Sequence, residues 1–465
     1  MRLCHTQPVA TARFDDPNLV SAAGVVPVMR LAAEAGLSEL SGGLLTVPTD
    51  KGANAGGKVT ALVCGMVAGA DSIEDMALLR HGAMGRLFDR TYAPSTLGSF
   101  LREFRFGHVR QLDAVASRFL AALAGRSELL EAEPSGLVLV DIDDSIIEVH
   151  GHAKQGASFG YTRVRGLNML LATASTQAAA PVVVAQRLRK GSCGSPRGAK
   201  RLVADALKTV RSLRPEGPVL MRADSAFYGS PTIGAAVRAG AQVSVTVRMS
   251  PNIKAAIASI SPDAWTAIEY TDAIRDETTG ELISRAEVAE VGFTAFASAR
   301  KTDQVPGRLV VRRIPDFNAP ADPGQGSLFE LWRFHAFFTT TDPEVLDTVA
   351  ADKTHRGHAI IEQVHADLKN SALAHLPSGK FMANSAWLTL AVMAFNLTRA
   401  AGTLAGGRFA RATTGTIRRT LISVPARVAS SARRLTLHLP TGWPWEAQWT
   451  ELFTRGGSPP APATP

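Results

Sequence analysis

Two aspartates stand two residues apart inside an apolar run near the end of the first third of the chain. The run LVLVDIDDSIIEV (137–149) is rich in β-branched residues, which predicts a strand with Asp141 and Asp143 on one face. A carboxylate on a buried strand needs a partner, because an unpaired buried charge is costly, and a divalent metal ion is the usual partner. The alternative is that the strand ends here and both acids face solvent.

A second candidate acid closes another apolar run. The segment VLMRAD (219–224) predicts a strand that stops at Asp224. Ligands of α/β sheets gather outside the carboxyl ends of the strands, so Asp224 is a candidate metal ligand. An aspartate at this position can equally serve as the N-cap of the helix that follows.

The third candidate acid lies in a helix that we predict over 344–372. Spacings of three, four and seven residues share a helix face, and they put one acid among cations on a stripe that consists of His355, His358, Glu362, His365 and Lys369. Such a stripe suits a site that holds a metal and grips phosphate. The alternatives are a polar outer face, or a di-iron site, since Glu362-x-x-His365 resembles the helix-bundle motif, which must occur twice. No second copy is present.

Taken together, two carboxylates on strands and one on a later helix match two-metal chemistry. We expect Asp143, Asp224 and Glu362 to hold two ions, with Asp141 in reserve if Asp143 points away. Two ions about 3.5–4 Å apart stabilise both the attacking and the leaving oxygen of an in-line displacement. Oxygen ligands favour Mg²⁺ or Mn²⁺ over zinc.

The bulk composition indicates a globular chain of several domains with a basic surface. The 465 residues are 46% hydrophobic and 20% charged, and the formal net charge is +9. No uninterrupted apolar run reaches membrane-spanning length, and the N-terminus lacks the apolar core of a secretion signal. The chain has three cysteines, which lie far apart: Cys4, Cys64 and Cys193. We therefore expect neither disulfides nor structural zinc, and we expect a cytoplasmic location.

Two basic clusters favour a polyanionic partner, since Lys and Arg displace counterions from phosphates. Each cluster could equally be a solvated surface. The first contains Arg187, Arg189, Lys190, Arg197, Lys200 and Arg201. The second contains Arg408, Arg411, Arg418, Arg419, Arg427, Arg433 and Arg434, and the only acid between 403 and 447 is Glu446.

The spacing of apolar residues divides the chain into segments of different period. A helical period comes first, then an α/β pattern, then a period of two, and then helices again. The predicted segments are an irregular arm (1–18), a helical domain (19–130), the first part of an α/β core (135–249), a β-rich insertion (250–341), the second part of the core with the Glu362 helix (342–402), and a basic segment with a disordered tail (403–465).

The three acid-bearing stretches, in this order, resemble the DDE transposases of bacterial insertion sequences. The closest branch has a β-rich insertion and a Tyr-Arg-Glu-Lys signature on the glutamate helix. LVDIDDS is similar to the Asp-x-Thr of its first strand, with Ser145 in place of Thr, and VLMRADSAFY is similar to its Arg-x-Asp-Ser-x-Phe. HRGHAIIEQVHADLK carries Glu362 and Lys369, but has His355 and His358 where the branch has Tyr and Arg.

The resemblance covers about 135–400, including FMANSAWLTLAVMAFNLTR after the glutamate helix. It implies an α/β fold with a ribonuclease-H-like catalytic core, interrupted by the β-rich insertion and preceded by an all-helical domain that binds the terminal inverted repeats. It also implies metal-dependent strand cleavage at those repeats and strand transfer into target DNA, with two Mg²⁺ (or Mn²⁺) ions per active site.

The same resemblance implies a homodimer on DNA, no membrane, and a place at the nucleoid of the bacterial cytoplasm. In related enzymes a Trp of the insertion stacks on a flipped base. The expected DNA-contacting residues are Lys369, His355, His358, Arg356 and Trp332.

Two other functions fit part of the pattern. Asp141-Ile142-Asp143-Asp144-Ser145 also resembles the D-x-D-x-[ST] motif of haloacid-dehalogenase-like phosphatases, in which the first Asp is a nucleophile. That motif normally opens its domain, whereas a long segment precedes it here, and the later paired acids are not evident. The other alternative is a non-catalytic DNA-binding protein derived from a transposon. Loss of an acid would indicate it, and none of the three is lost.

Overall fold

A computed structural model describes residues 11–130, 136–268, 286–315, 332–431 and 434–457. The described residues form a mixed α/β structure. Its strands are β1 (Leu19–Val20), β2 (Val138–Glu148), β3 (Ser158–Phe159), β4 (Arg165–Ser175), β5 (Val182–Lys190), β6 (Val219–Ala223), β7 (Gln242–Thr246), β8 (Thr266–Ile268), β9 (Ala286–Ala295), β10 (Val305–Pro315), β11 (Trp332–Thr339), β12 (Ala426–Ser431) and β13 (Arg434–His438).

The helices surround the larger of two sheets. They are α1 (Val25–Glu34), α2 (Leu37–Leu44), α3 (Ala55–Ala68), α4 (Pro94–Arg102), α5 (Phe106–Ala124), α6 (Ala199–Leu213), α7 (Ser230–Arg238), α8 (Pro251–Ala258), α9 (Thr348–Arg356), α10 (Ile360–Lys369), α11 (Phe381–Ala405), α12 (Thr414–Ile417) and α13 (Glu446–Arg455). Two short 3-10 turns, Ser225–Phe227 and Gly357–Ala359, lie next to the candidate site.

The large sheet has ten strands in the order β3-β4-β2-β6-β7-β11-β10-β9-β8, with β5 also paired to β4. Strands β2, β6 and β7 run parallel, whereas β2–β4 and β4–β5 are antiparallel. β2 lies inside the sheet between β4 and β6, and its even-numbered apolar residues Val138, Val140 and Ile142 are buried on one face. The predicted strand at 137–149 is confirmed, and Asp141 and Asp143 share its other face.

Helices cover both faces of this sheet. On the face of Val140 lies α6, where Asp205 pairs with Arg187 of β5 at 3.0 Å. On the opposite face α10 packs against β2, and α9 packs against β9 and β10. The acids Asp141 and Asp143 therefore lie between the sheet and the α9–α10 layer, which brings together segments that are more than 200 residues apart in the chain.

The longest helix, α11, runs through the centre of the molecule. It is apolar and long enough to cross a membrane by length and composition alone, but 94% of its apolar window is buried inside the protein. It packs against α3, α5 and β5, and the Asn396 amide bonds the backbone N and O of Val183 at 2.9 and 2.8 Å. One continuous hydrophobic cluster includes the N-terminal helices, α11 and the sheet.

The segment predicted as a β-rich insertion begins with the helix α8 and continues as antiparallel strands β8–β11. These strands extend the large sheet, because β11 pairs with β7. Residues 269–285 and 316–331 of the segment lie outside the described residues.

The predicted basic segment at 403–465 is folded into the protein as far as residue 457. Its strand β12 pairs with β1 and β13, and α13 packs against α1 and α11. Leu421 and Ile422 are fully buried. The predicted tail lies outside the described residues from 458 onward. Of the arm at 1–18, residues 1–10 are also outside them, and 11–18 have no regular structure.

Candidate active site

Asp143, in the middle of β2, lies beside Asp224, the residue that follows the end of the parallel strand β6. Ile142 of β2 is in register with Ala223 of β6, so the next residue on each strand is one of these acids. Adjacent strands lie about 4.8 Å apart, which puts the two carboxylates within reach of one ion. Asp224 also caps the 3-10 turn that follows it, since its Oδ1 accepts a hydrogen bond from Ala226 N at 2.9 Å. Both roles considered for Asp224 are therefore compatible.

Among the described residues no cation forms an ion pair with either of these two acids. Burial raises the pKa of Asp143 to about 6, and the nearby charges of Asp224 and Asp144 act in the same direction. Burial also raises the pKa of Asp224. Neither acid forms an ion pair with another described residue, and His358 only partly offsets their repulsion.

Asp141, on the same face of β2, has different partners. It is fully buried, and Arg222 of β6 donates Nε to Oδ1 and Nη2 to Oδ2, each at 2.7 Å. His358 Nδ1 lies 2.9 Å from Asp141 Oδ1. Both oxygens of the reserve ligand are thus occupied, which makes Asp143 the acid of this strand that is open to a metal.

The glutamate helix is broken, although a single helix was expected over 344–372. α9 ends at Arg356, the 3-10 turn follows, and α10 begins at Ile360. Arg222 Nη1 donates to the carbonyl of Thr354 at this break. A Cβ on Gly357 would lie 2.8 Å from that same Nη1, so a larger residue here would require the Arg222 guanidinium to shift. Because of this break, residues of α9 and α10 that are three, four or seven apart need not lie on one common face.

The prediction of a single cationic stripe is wrong at His355 and His365. The His355 ring stacks on Phe337 at 4.1 Å and bonds the hydroxyls of Ser244 and Thr246 at 2.9 and 3.0 Å. Burial lowers the pKa of His355 to about 3, and it does the same for His365. Both rings are neutral and packed, so they add no positive charge to the site.

Two members of the stripe, His358 and Lys369, contact residues of β2. His358 contacts Asp141, as described, and Lys369 Nζ donates to Ser145 Oγ at 2.5 Å. Burial lowers the pKa of Lys369, and the charge of Asp143 acts in the opposite direction. Glu362 lies between these two cations in the chain, in the first turn of α10, and its side chain is exposed.

The donor chemistry of Asp143 and Asp224 fits a hard divalent cation. Asp143 is half-buried and Asp224 is exposed; both carboxyls have raised pKa values and neither forms an ion pair with another described residue, so they are oxygen ligands that Mg²⁺ or Mn²⁺ would neutralise. Within the described ranges, no group of three or more His, Cys, Asp or Glu is close enough to form a ready metal site. The structure therefore brings together two of the three predicted acids and does not join Glu362 to them in a formed cluster.

One protein-family model matches nearly the whole chain. The family model described as Transposase DDE domain group 1 matches residues 3–455, including the three acids and the helices on either side. The chain belongs to this transposase family. No curated protein gave a match to the chain. Members of the family act on DNA and generally use divalent metals.

The remaining predicted DNA contacts of the transposase lie farther out. Arg356 Nε donates to Asp352 Oδ2 at 2.8 Å on α9. The indole of Trp332 at the start of β11 is half-buried, and the Arg313 guanidinium lies 4.4 Å from its centre and 4.2 Å from that of Trp265. Neither tryptophan is fully buried, so the stacking hypothesis for Trp332 stays a prediction.

Sequence reasoning missed two residues that shape the transposase site. Arg222 was noted only as part of the Arg-x-Asp-Ser-x-Phe motif, and no role was predicted for it. An arginine inside an apolar strand indicates a buried acid partner. Asp144, on the opposite face of β2, is buried and bonded to Asn168 and, at 3.1 Å, to Arg189. Arg189 had been counted as part of a surface basic cluster. Its burial shows that this part of the cluster is structural.

Proposed function

We propose that this protein is a DNA transposase that cleaves strands at terminal inverted repeats and transfers them into target DNA. The observation that carries the proposal is the adjacency of Asp143, on β2, and Asp224, directly after the neighbouring parallel strand β6, two carboxylates that form no ion pair with another described residue. The family match supports a transposase, and a site that attracts cations suits phosphoryl transfer on a polyanion.

We assign the catalytic core to the ribonuclease-H-like class. In its support, the strand order β5-β4-β2-β6-β7 has an antiparallel three-stranded part followed by two parallel strands, with α6 and α7 in the connections. The segment 250–341 enters this core as an insertion between β7 and the glutamate helix. We assign recognition of the inverted repeats to the helices of 19–130, and we expect a homodimer that assembles on DNA in the bacterial cytoplasm.

The proposed metal ligands are Asp143, Asp224 and Glu362. Two bound Mg²⁺ or Mn²⁺ ions would supply electrostatic stabilisation of the attacking and leaving oxygens. The chain's own residues orient and neutralise the DNA: Lys369, held beside Asp143 by Ser145, is in position to pair with a phosphate, and His358 adds a donor near both aspartates. The DNA-contact assignments of Arg356 and Trp332 rest on the resemblance alone, and the one expected for His355 is not proposed, because both nitrogens of its ring are bonded inside the protein.

The proposal is tested by strand cleavage. Wild-type protein is incubated with supercoiled DNA that carries the inverted repeats flanking the gene, in the presence of Mg²⁺ or Mn²⁺. Asp143→Asn, Asp224→Asn and Glu362→Gln should each abolish cleavage while leaving DNA binding intact. The matched control is Glu344→Gln, an exposed glutamate ahead of α9 that should cleave as wild type does.

A phosphatase assay separates the proposal from its main alternative. We expect no hydrolysis of a generic aryl phosphate, because Asp141 is bonded to Arg222 and His358 and has no free oxygen for nucleophilic attack. Aryl phosphate hydrolysis that disappears in Asp141→Asn, without DNA cleavage, would support the phosphatase. DNA binding without cleavage by the wild type under any metal would support the non-catalytic protein.

A further inference from the structure

The hairpin between β3 and β4 displays two aromatic side chains to solvent. Phe159 is 65% exposed and Tyr161 is 71% exposed, and they stand two residues apart in the chain. Apolar groups exposed singly are ordinary, but neighbouring exposed aromatics mark a contact surface. The attachment of the hairpin and the charges near it indicate which ligand these aromatics bind.

The hairpin is firmly attached, so this exposure does not come from a loose loop. Gly191 N donates to Gly156 O at 3.0 Å, and Ser192 N donates to Ser158 Oγ at 2.8 Å. A Cβ on Gly191 would collide with the backbone oxygen of Ser158, so β3 and the β5–α6 connection are in direct backbone contact. The hairpin tip is closed by a turn in which Arg163 N donates to Gly160 O at 3.1 Å.

Tyr161 lies within electrostatic reach of the candidate active site. Burial raises the pKa of Tyr161, and the charges of Asp144, Asp143 and Asp224 raise it further, in that order. The hairpin tip approaches the site from the β4 side of β2, since β3 pairs with β4 and a Cβ on Gly160 would lie 3.8 Å from Ile146 Cδ1 of β2.

Exposed cations lie in the hairpin and along the chain segment that follows its contact with Gly191. The structure divides the basic cluster of 187–201 into two parts: Arg187 and Arg189 pair with buried or half-buried aspartates, whereas the remaining members face solvent. The exposed members on the β5–α6 connection and the start of α6 are Lys190, Arg197, Lys200 and Arg201. Arg163, also exposed, lies in the hairpin itself.

We propose that Phe159 and Tyr161 form a stacking platform for an unpaired base of the DNA strand next to the phosphodiester at Asp143 and Asp224. The inference rests on the proposed DNA-cleaving function and adds a subsite to it. Aromatic faces stack on any base, while neighbouring cations hold the backbone, which is how proteins bind single strands without sequence preference. A double-stranded segment has no base free to stack, so the platform should favour melted or cleaved ends.

The test compares two fluorescent DNA duplexes of the same length, one blunt and one with a frayed, mismatched end. Affinities of the full-length protein are measured by anisotropy at fixed salt, in a chelator that prevents cleavage. Phe159→Ala and Tyr161→Ala should each weaken binding of the frayed duplex about ten-fold and leave the blunt duplex unchanged. Tyr161→Phe and Phe159→Tyr, which keep an aromatic face, should bind as wild type does.

The matched control is Phe106→Ala, which removes a side chain of similar exposure (63%) from the start of α5 and should affect neither duplex. Alanine variants that bind the frayed duplex as tightly as wild type, or that lose the same affinity for both duplexes, would overturn the platform. So would variants whose only defect is in the pairing of two protomers, since the patch would then be a protein interface. Wild-type protein that binds neither duplex contradicts the proposed function itself.

Discussion

Arg222 and Asp141 form a bidentate ion pair across β6 and β2, with both N–O distances at 2.7 Å and both side chains at most 2% exposed. Arg222 also bonds the carbonyl of Thr354 at the end of α9, and Asp141 contacts His358 in the turn before α10. One buried pair thus joins two strands of the sheet to the break that precedes Glu362. We infer that it positions α10 over the candidate active site.

Removal of one partner should therefore cost more than removal of both. Arg222→Leu leaves the Asp141 charge buried and unpaired, and we expect a loss of about 3–5 kcal/mol in the free energy of unfolding. The double variant Asp141→Leu/Arg222→Leu should recover a large part of this loss, as measured by denaturant unfolding. The control is Arg201→Leu, whose pair with Asp205 is largely exposed and should contribute no more than about 1 kcal/mol. Strictly additive effects in the double variant would show that the pair does not act as a unit.

Asp143→Asn should stabilise the metal-free protein while abolishing cleavage. The pKa of Asp143 is raised from 3.8 to about 6 in the folded state, so stability is highest below pH about 4 and is lost as the pH rises to about 6. At neutral pH the variant should gain on the order of 1–3 kcal/mol, and below pH about 4 the gain should vanish. Thermal unfolding across this range is the measurement.

The same variant tests metal binding at Asp143. Mg²⁺ or Mn²⁺ should raise the melting temperature of the wild type, because an ion that binds only the folded state stabilises it, and should raise that of Asp143→Asn much less. Asp89→Asn, which alters an exposed carboxylate, is the control and should behave as wild type with and without metal. A stability difference between wild type and Asp143→Asn that is the same at pH about 4 and pH about 7 would contradict the linkage.

Lys369→Ala should weaken DNA binding and reduce its salt dependence. If Lys369 pairs with one phosphate, the slope of log affinity against log salt should become shallower by about 0.9. Lys369→Arg keeps the charge and should retain most of the slope. The control is Lys208→Ala, which removes an exposed lysine from α6 on the opposite face of the sheet. An unchanged slope in Lys369→Ala would mean that this lysine serves only to hold Ser145.

Trp332→Ala should lower the affinity for DNA with frayed ends by about ten-fold if its indole stacks on a base. The competing role is to pack on the Arg313 guanidinium, which both Trp332 and Trp265 flank. Trp265→Ala is the matched variant, since Trp265 is the second indole that packs on the Arg313 guanidinium. Equal loss of thermal stability in both variants with unchanged DNA binding would assign Trp332 to packing.

The basic C-terminal region should be tested by substitution, because its core is buried and truncation after α11 would expose it. Arg427 and Arg434 project from the β12–β13 hairpin and are exposed. If they contact the partner's DNA, a mixture of Glu362→Gln with Arg427→Glu/Arg434→Glu should recover cleavage of paired ends that neither protein performs alone. Normal cleavage by the arginine variant on its own would show that the hairpin is not required.

Local patterns in the sequence determined much of the framework. The strand of Asp141 and Asp143 and the strand that stops at Asp224 were both predicted to within about one residue of their ends. Such strands can be predicted because their apolar pattern depends on side chains that are close in the chain. Asp141 and Asp143 do share a face for this reason.

Only the tertiary structure decided which of these acids is free. Asp141 is neutralised by Arg222, 81 residues away in the chain, while Asp143 has no such partner. The alternating pattern of β2 cannot distinguish the two acids, because it places both on the same face of the strand. The same arginine contacts the helix break at Thr354 and Gly357, and on either side of this break His355 bonds Ser244 of β7 while His358 contacts Asp141. Contacts between distant segments depend on the register of strands and the packing of layers, and these are set by the whole fold rather than by neighbouring residues.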